Sequence, residues 1–248
     1  DRNGKKMIPK GWYSFLSPGI PDVKDYLKDV FLEVIHNYKI DGIHFDYIRY
    51  PSEIDDFSYD PVSLERFSLE TGKTPEGAAS EWKAWRAKQV TQVEQSIYHE
   101  GKALRPNLIF SAAVIHEPTG GRIRYFQDSG RWIREKTLDV VMPMVYTRDL
   151  NEFRKATIDF VSIRQSNNWV APGIGLERAG DQFIAQLELT RDLDANGCAL
   201  FAYSILFNNN KPSDMASKLI NGPFQVKALL PWDPASAIPP VPPSKRDS

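Results

Sequence analysis

The most constraining feature of this sequence is a repeated alternation between helix-type and strand-type segments. The helix-type segments carry apolar residues three or four positions apart, whereas the strand-type segments are short and continuously apolar. The five predicted strands are Ile43–Asp46, Leu108–Ile115, Leu138–Tyr146, Trp169–Leu176 and Cys198–Ser204. The predicted helices begin at Pro21 and then cover about Leu64–Thr71, Ser80–Leu104, Ile123–Lys136, Glu152–Gln165, Asp181–Ala195 and Asp214–Ile220. This α/β pattern predicts a parallel sheet covered by helices, with its chemistry at the carboxyl ends of the strands.

Charge and cysteine content exclude several classes of protein. The formal net charge is −1, from 31 Lys and Arg against 32 Asp and Glu, which favours neither nucleic acid nor anionic lipid as a partner. The single Cys198 excludes an internal disulfide, and no Cys and His residues have zinc-site spacing, so no cofactor or metal is predicted. Apolar runs are strand-sized, so neither a transmembrane segment nor a signal peptide is expected within these residues.

The first predicted strand ends in residues that suit a binding or catalytic site. Strand alternation places His44 and Asp46 on one face and Ile43 and Phe45 on the other. A carboxylate at the mouth of a buried strand is costly unless it is paired or used. Asp46 is therefore either a catalytic or sugar-binding carboxylate, which we favour, or half of a structural pair with Arg49.

A second carboxylate, Glu117, follows the next strand. Hydrolysis of a glycosidic bond uses two carboxyl groups, ~5 Å apart for retention of configuration and ~6.5–9.5 Å apart for inversion. One of the two must be protonated, which burial or the charge of its partner achieves. Glu117 is thus a candidate general acid opposite Asp46, although a polar loop residue would satisfy the sequence equally well.

Further candidates stand at the ends of the later strands. Tyr146 and Tyr203 are amphipathic rings that stack on sugars or close a core, and Glu177 follows the fourth strand next to Arg178. His44, Asp46 and His116 would form a metal site across two strands. The sequence contains neither HxH nor HExxH, so this metal-dependent alternative is the least favoured.

Two stretches of the sequence resemble the glycosyl hydrolase-like 10 family, also called domain of unknown function 187. They are 16–26, LSPGIPDVKDY, and 41–51, DGIHFDYIRYP, and the weaker matches are Gln127-Asp128, Trp132, Asp139 and 142–146, MPMVY. The resemblance covers about Trp12 to Phe207. It implies a (β/α)8 TIM-barrel-type fold in an exported bacterial protein that hydrolyses glycosidic bonds, with peptidoglycan glycan strands as one substrate type. Asp46 matches the family's Asp after the fourth strand, and His44 matches the His of the motif.

The chain departs from the family pattern at two positions after Asp46. Tyr47 stands where members often have a second acid, and Ile48 stands where the similar family 18 chitinases have a Glu. Substrate-assisted chemistry of the chitinase type is therefore not expected.

Strand counting predicts only part of a barrel. In the family's order the Asp46 strand is the fourth of eight, so this chain supplies strands four to eight within a domain at residues 1–222. A Pro-rich tail at 223–248 follows. Five strands expose two sheet edges, which association with a missing N-terminal segment or with a second copy would cover.

These observations predict a glycoside hydrolase that acts on a polysaccharide or a peptidoglycan glycan strand. Asp46 is its nucleophile or base and Glu117 its general acid. His44, Arg49, Tyr146, Glu177 and Tyr203 would contact the oligosaccharide. The family resemblance implies a secreted, periplasmic or cell-envelope location. The alternative is a non-catalytic carbohydrate-binding relative that keeps the cleft and lacks turnover.

Overall fold

The computed structural model describes residues 1–8, 14–51, 56–226 and 228–230. These residues belong to two compact units, one at Asp1–Phe201 and one that begins at Ala202. Most of the predicted Pro-rich tail, residue 227 and residues 231–248, lies outside the described residues.

The first unit contains a parallel sheet, as the alternation predicts. Its strands are β1 (Gly42–Phe45), β2 (Ile109–Ile115), β3 (Val140–Met144), β4 (Trp169–Val170), β5 (Gly173–Gly175) and β6 (Ala199–Phe201). The spatial order is β1-β2-β3-β5-β6, with β4 also paired to β3 and every pairing parallel. This is a curled half-barrel. Within the described residues, no further strand pairs with the outer side of β1 or β6.

The fourth predicted strand, Trp169–Leu176, is observed as two short strands rather than one. Pro172, between β4 and β5, has no backbone N–H to donate to a neighbouring strand. The flanking Ala171 N–H still donates to the Val141 carbonyl at 3.0 Å. A single proline thus divides one predicted strand into two strands that lie on the same neighbour, β3.

Helices alternate with the strands. In the first unit they are α1 (Pro21–Asn37), α2 (Pro61–Thr71), α3 (Ala79–Leu104), α4 (Pro118–Tyr125), α5 (Ser129–Glu135), α6 (Leu150–Val161), α7 (Leu176–Ala179) and α8 (Phe183–Asp192). A 3-10 turn, Gly180–Gln182, joins α7 to α8. None of the described helices is both long and apolar enough to cross a membrane.

The prediction of one helix at Ile123–Lys136 is wrong, because the chain forms α4 and α5 instead. Phe126, with φ 55°, adopts the left-handed conformation that ends α4. The Asp128 side chain then accepts a hydrogen bond from the Arg131 backbone N–H and begins α5 as its N-cap. The apolar spacing continues across this break and conceals it from the sequence.

The core lies between the sheet and its helices. Buried side chains of β1, β2 and β3 pack against α1 and α3, and Phe45, Phe110 and Val141 are at most 2% exposed. A second cluster joins α2 to α3 through Phe67, Trp82 and related aromatic residues. The α2 part of the long excursion after β1 is therefore anchored on α3.

The second unit is small. Its described elements are α9 (Tyr203–Leu206), an antiparallel pair of β7 (Phe207–Asn208) and β8 (Lys211–Pro212), and α10 (Asp214–Ile220). The Ser213 side chain begins α10 by accepting a hydrogen bond from the Ala216 N–H.

Candidate functional site

Asp46 lies at the carboxyl end of β1, in a backbone turn that fixes its orientation. The next residue, Tyr47, has φ 55°, a left-handed conformation that is uncommon for a residue other than glycine. The Tyr47 N–H donates to Asp46 Oδ1 at 2.8 Å. The turn therefore holds an exposed carboxylate at the strand end through a backbone hydrogen bond, and such locally strained backbone is common at functional sites.

His44 faces the same side of β1 as the sequence alternation predicts. Its neighbours Ile43 and Phe45 are 8% and 2% exposed, whereas His44 itself is exposed. His44 Nδ1 lies 2.9 Å from Ser111 Oγ on β2, and this hydroxyl also donates to the Ile43 carbonyl. Partial desolvation lowers the pKa of His44, against the smaller opposing effect of the Asp46 charge. The imidazole is therefore neutral at pH 7.

Arg49 does not form an ion pair with Asp46 within the described part of the chain. Its guanidinium carbon lies over the Tyr47 ring, 4.3 Å from the ring centroid. Its Nη1 atom is buried, and no described residue forms a hydrogen bond with it. The structural Asp46–Arg49 pair, which was the alternative to a functional carboxylate, is not formed.

Tyr146 follows β3 and lies close enough to Asp46 and Arg49 for both charges to affect its pKa. Burial raises its pKa, the Asp46 charge raises it further, and the Arg49 charge lowers it. The ring stacks on Phe201 at a centroid distance of 5.4 Å and an interplanar angle of 13°. Gly175 leaves room for it, because a Cβ there would lie 2.9 Å from Tyr146 Cγ. The strand ends thus bring together Asp46, His44, Arg49 and Tyr146.

Glu117 is directed toward its own helix. It precedes α4, and its Oε2 accepts a hydrogen bond from Arg124 Nη2 at 2.7 Å, with both side chains about half exposed. The pairing of Glu117 with Asp46 stays a prediction.

The two remaining residues predicted to contact the substrate, Glu177 and Tyr203, lie further along the chain. Glu177 is exposed in the first turn of α7, without an ion pair to Arg178 among the described residues. Tyr203 belongs to the second unit, is 65% exposed and stacks on Phe207 at 4.9 Å. Their contact with a substrate stays a prediction.

One further carboxylate at the strand ends was not predicted from the sequence. Glu152 Oε2 accepts from Thr147 Oγ1 at 2.6 Å, and its Oε1 lies 3.7 Å from His116 Nε2. Asp149 and Glu152 have the spacing of a capping box, in which the Glu returns to the N-cap N–H. Here Thr147 Oγ1 accepts the Asp149 N–H instead, so Glu152 extends toward the end of β2. The capping-box spacing is the signal that could have drawn attention to it.

The metal-dependent alternative lacks its ligand set. His44 pairs with Ser111 and His116 with Glu152, and the described residues contain no group of three His, Cys, Asp or Glu side chains placed to bind an ion.

Comparisons with known proteins identify relatives of this chain. The chain is 27% identical to the glycosyl hydrolase DigH of Escherichia coli K12 over 146 residues, which are 53% of this chain and 31% of DigH. It is 23% identical to the glycosyl hydrolase YngK of Bacillus subtilis 168 over 255 residues, covering 89% of this chain and 48% of YngK. The chain thus spans between about a third and a half of the length of these relatives.

The fold has a match among solved structures. The catalytic domain of a β-amylase from Paenibacillus polymyxa aligns with a TM-score of 0.58 over 83% of this chain and 69% of that domain, at 12% identity. This match confirms a fold of the (β/α)8-barrel type. Residues 6–179, which include the strand that carries His44 and Asp46, match the pattern of the glycosyl hydrolase-like 10 family. With most of its length inside that match, the chain belongs to the glycosyl hydrolase-like 10 family.

Proposed function

We propose that the chain acts as a glycoside hydrolase on a polysaccharide or a peptidoglycan glycan strand, in a secreted, periplasmic or cell-envelope protein. The observation that carries this proposal is the exposed carboxylate of Asp46, oriented by the Tyr47 N–H at the end of β1 and accompanied by His44 and Tyr146. The carboxyl ends of barrel strands are where such folds place their chemistry. Membership of a glycosyl hydrolase-like family and relatives named glycosyl hydrolase support the same reaction class.

In this proposal Asp46 is the nucleophile or the general base. As a nucleophile it would attack the anomeric carbon, and as a base it would take a proton from the attacking water. His44, neutral because its pKa is lowered, would offer a hydrogen bond rather than a charge to a sugar hydroxyl. Tyr146, whose raised pKa keeps the phenol protonated, would stack on the sugar and donate a hydrogen bond. Glu177 and Tyr203 are also proposed to contact the glycan.

The proposed general acid is Glu117, which must exchange its contact with Arg124 for the leaving oxygen. Glu152 is the second candidate for this role, because it is held beside His116 at the end of the neighbouring strand. Either carboxyl group must carry a proton when the glycosidic bond breaks.

Substitution of Asp46 tests the proposal. Asp46→Asn should lower glycan hydrolysis by about 100-fold or more, since it removes the charged oxygen that attacks or takes the proton. Asp41→Asn, at the opposite end of the same strand, is the matched control and should retain full turnover. Released reducing ends measure the rate, and thermal melting verifies folding. Wild-type turnover in Asp46→Asn would contradict the assignment.

The same assay distinguishes the two candidate acids. Glu117→Gln should reproduce most of the loss of activity and Glu152→Gln should not, whereas the reverse result would reassign the acid to Glu152.

The alternative function, a carbohydrate-binding relative without turnover, differs in one measurement. It predicts that wild-type protein retains an oligosaccharide without releasing any product, and that Asp46→Asn leaves this retention unchanged. Hydrolysis by the wild type would exclude it.

A further inference from the structure

Arg49 is a partly buried cation that has no carboxylate partner among the described residues. Its Nη1 is buried and makes no hydrogen bond, and the carboxylate three residues before it is bonded to a backbone N–H instead. Burying a guanidinium without an anionic partner is costly. Within the described ranges, no side chain thus neutralises the charge of Arg49.

The environment of Arg49 holds the guanidinium in place. The guanidinium lies over the Tyr47 ring at 4.3 Å, and Phe15 forms a T-shaped pair with the same ring at a centroid distance of 6.2 Å. Stacking uses the face of the guanidinium and leaves its N–H edge for hydrogen bonds. Arg49 and Tyr47 also line a cavity of about 250 Å³ whose other walls, including Leu27 and Val90, are mainly apolar.

Three other arginines of the first unit, by contrast, have acidic partners. Arg124 donates to Glu117 at 2.7 Å, Arg122 lies 3.4 Å from Asp128, and the buried Arg86 donates to Asp56 at 2.6 Å. Arg49 has no such partner among the described residues, and it lies beside the proposed nucleophile. Its charge reaches the phenol of Tyr146 together with that of Asp46.

We infer that Arg49 binds a carboxylate substituent of the bound glycan, so that the cleft selects acidic over neutral sugars. A carboxylate presents two oxygens in a plane, which match the fork of N–H groups on a guanidinium. This inference rests on the proposed function, because it assumes that a glycan occupies the cleft beside Asp46. The inference adds to that function the chemical class of the substrate, an acidic glycan, and the residue that recognises its carboxylate, Arg49.

The test compares glycans that differ only in their carboxylates. The probes are oligogalacturonides and peptide-free peptidoglycan oligosaccharides, each used with free carboxylates and after conversion of the carboxylates to neutral amides. Titration calorimetry measures binding to the wild type and to Arg49→Gln, Arg49→Lys and Arg122→Gln. Arg122→Gln removes the same charge from an exposed site and controls for the net charge of the chain.

The wild type and Arg122→Gln should bind the acid form of at least one probe about tenfold more tightly than its amide, the effect of one charge-assisted hydrogen bond. Arg49→Gln should bind both forms equally, and Arg49→Lys should retain part of the preference. Arg49→Lys replaces Arg49→Gln as the deciding variant if melting shows that Arg49→Gln does not fold. A wild type without a preference for the acid form, or a preference that survives removal of the Arg49 charge, would overturn the inference.

Hydrolysis of the same probes is measured separately, so that the two proposals fail independently. A preference for acid glycans without any product would sustain the role of Arg49 and remove the proposed hydrolysis. Product from acid and amide forms at equal KM would sustain hydrolysis and remove the role of Arg49.

Discussion

Asp46 and Arg49 are only three residues apart, yet the backbone between them gives them separate partners. The left-handed conformation of Tyr47 directs its N–H to Asp46 and its ring under Arg49, and the Arg49 N–H returns to the Tyr47 carbonyl at 2.7 Å. Alternation along β1 predicted correctly that the His44 side chain lies outside the core. A left-handed residue other than glycine has no reliable sequence signal, so the separation of Asp46 from Arg49 could not be predicted.

The buried Glu94 on α3 gives a prediction for stability. Glu94 is fully buried, accepts one hydrogen bond from Thr137 Oγ1 at 3.0 Å, and has no partner for its other oxygen. Burial raises its pKa well above 4.5, and the charges of Glu135 and Asp139 raise it further. When folding raises the pKa of a carboxyl group, the folded state favours the protonated form. The contribution of that group to stability is therefore complete only below its unfolded pKa. That contribution is lost as the pH rises toward the folded pKa.

Glu94→Gln should remove this dependence, because an amide keeps the acceptor for Thr137 and has no proton to lose. Relative to the wild type, the unfolding free energy of the variant should rise as the pH increases from the unfolded pKa toward the raised folded pKa of Glu94. Urea unfolding at pH 5 and pH 8 measures the difference. A difference between the two proteins that is the same at both pH values would contradict the prediction.

At the scale of elements, the boundaries that the sequence missed share one cause. Both the split between α4 and α5 and the split between β4 and β5 arise from single residues, Phe126 and Pro172, inside segments of continuous apolar pattern. Apolar periodicity reports which face is buried and does not report the dihedral angles of one residue. The order and type of the elements that carry the site followed from periodicity, and their internal breaks did not.

The short strand β5 gives a prediction at this scale. Tyr146 stacks on Phe201 directly over Gly175, where a Cβ would lie 2.9–3.0 Å from three atoms of the Tyr146 side chain. Gly175→Ala should therefore displace the tyrosine ring and destabilise the fold by about 1–3 kcal/mol. It should also weaken glycan binding more than loss of stability alone explains.

Gly197→Ala is the matched control for this change, because nothing lies within 4 Å of a Cβ at that position. It should alter neither the melting temperature nor glycan binding appreciably. Glycan affinity measured below the melting temperature of each variant separates the two effects. Unchanged binding in a folded Gly175→Ala variant would show that the position of Tyr146 is not needed.

At the scale of the whole chain, length alone was misleading, because 248 residues suit a complete barrel. The excursion after β1 and the 26-residue α3 take up the length that three more strands would need. Counting strands therefore predicted the half-barrel, whereas the contacts of Glu117 with Arg124 and of Glu152 with His116 depend on loop conformations that no spacing encodes. The sequence thus predicted which strand ends carry the candidate site and left open which carboxylate is the proposed acid.

Charge balance over the whole chain predicts how glycan binding responds to salt. With a net charge of −1 there is no long-range field to draw an acidic glycan toward the cleft. The attraction is therefore confined to Arg49, which is partly buried and weakly screened.

Raising NaCl from 50 to 500 mM should weaken binding of the acid probe by no more than about threefold. A nucleic-acid-binding protein with 6–10 phosphate contacts loses about 1,000-fold or more over a smaller change in salt. Calorimetric titration at both concentrations measures the change, with the neutral amide probe as the control. A loss of tenfold or more that is specific to the acid form would mean that several exposed cations, rather than Arg49, bind the glycan.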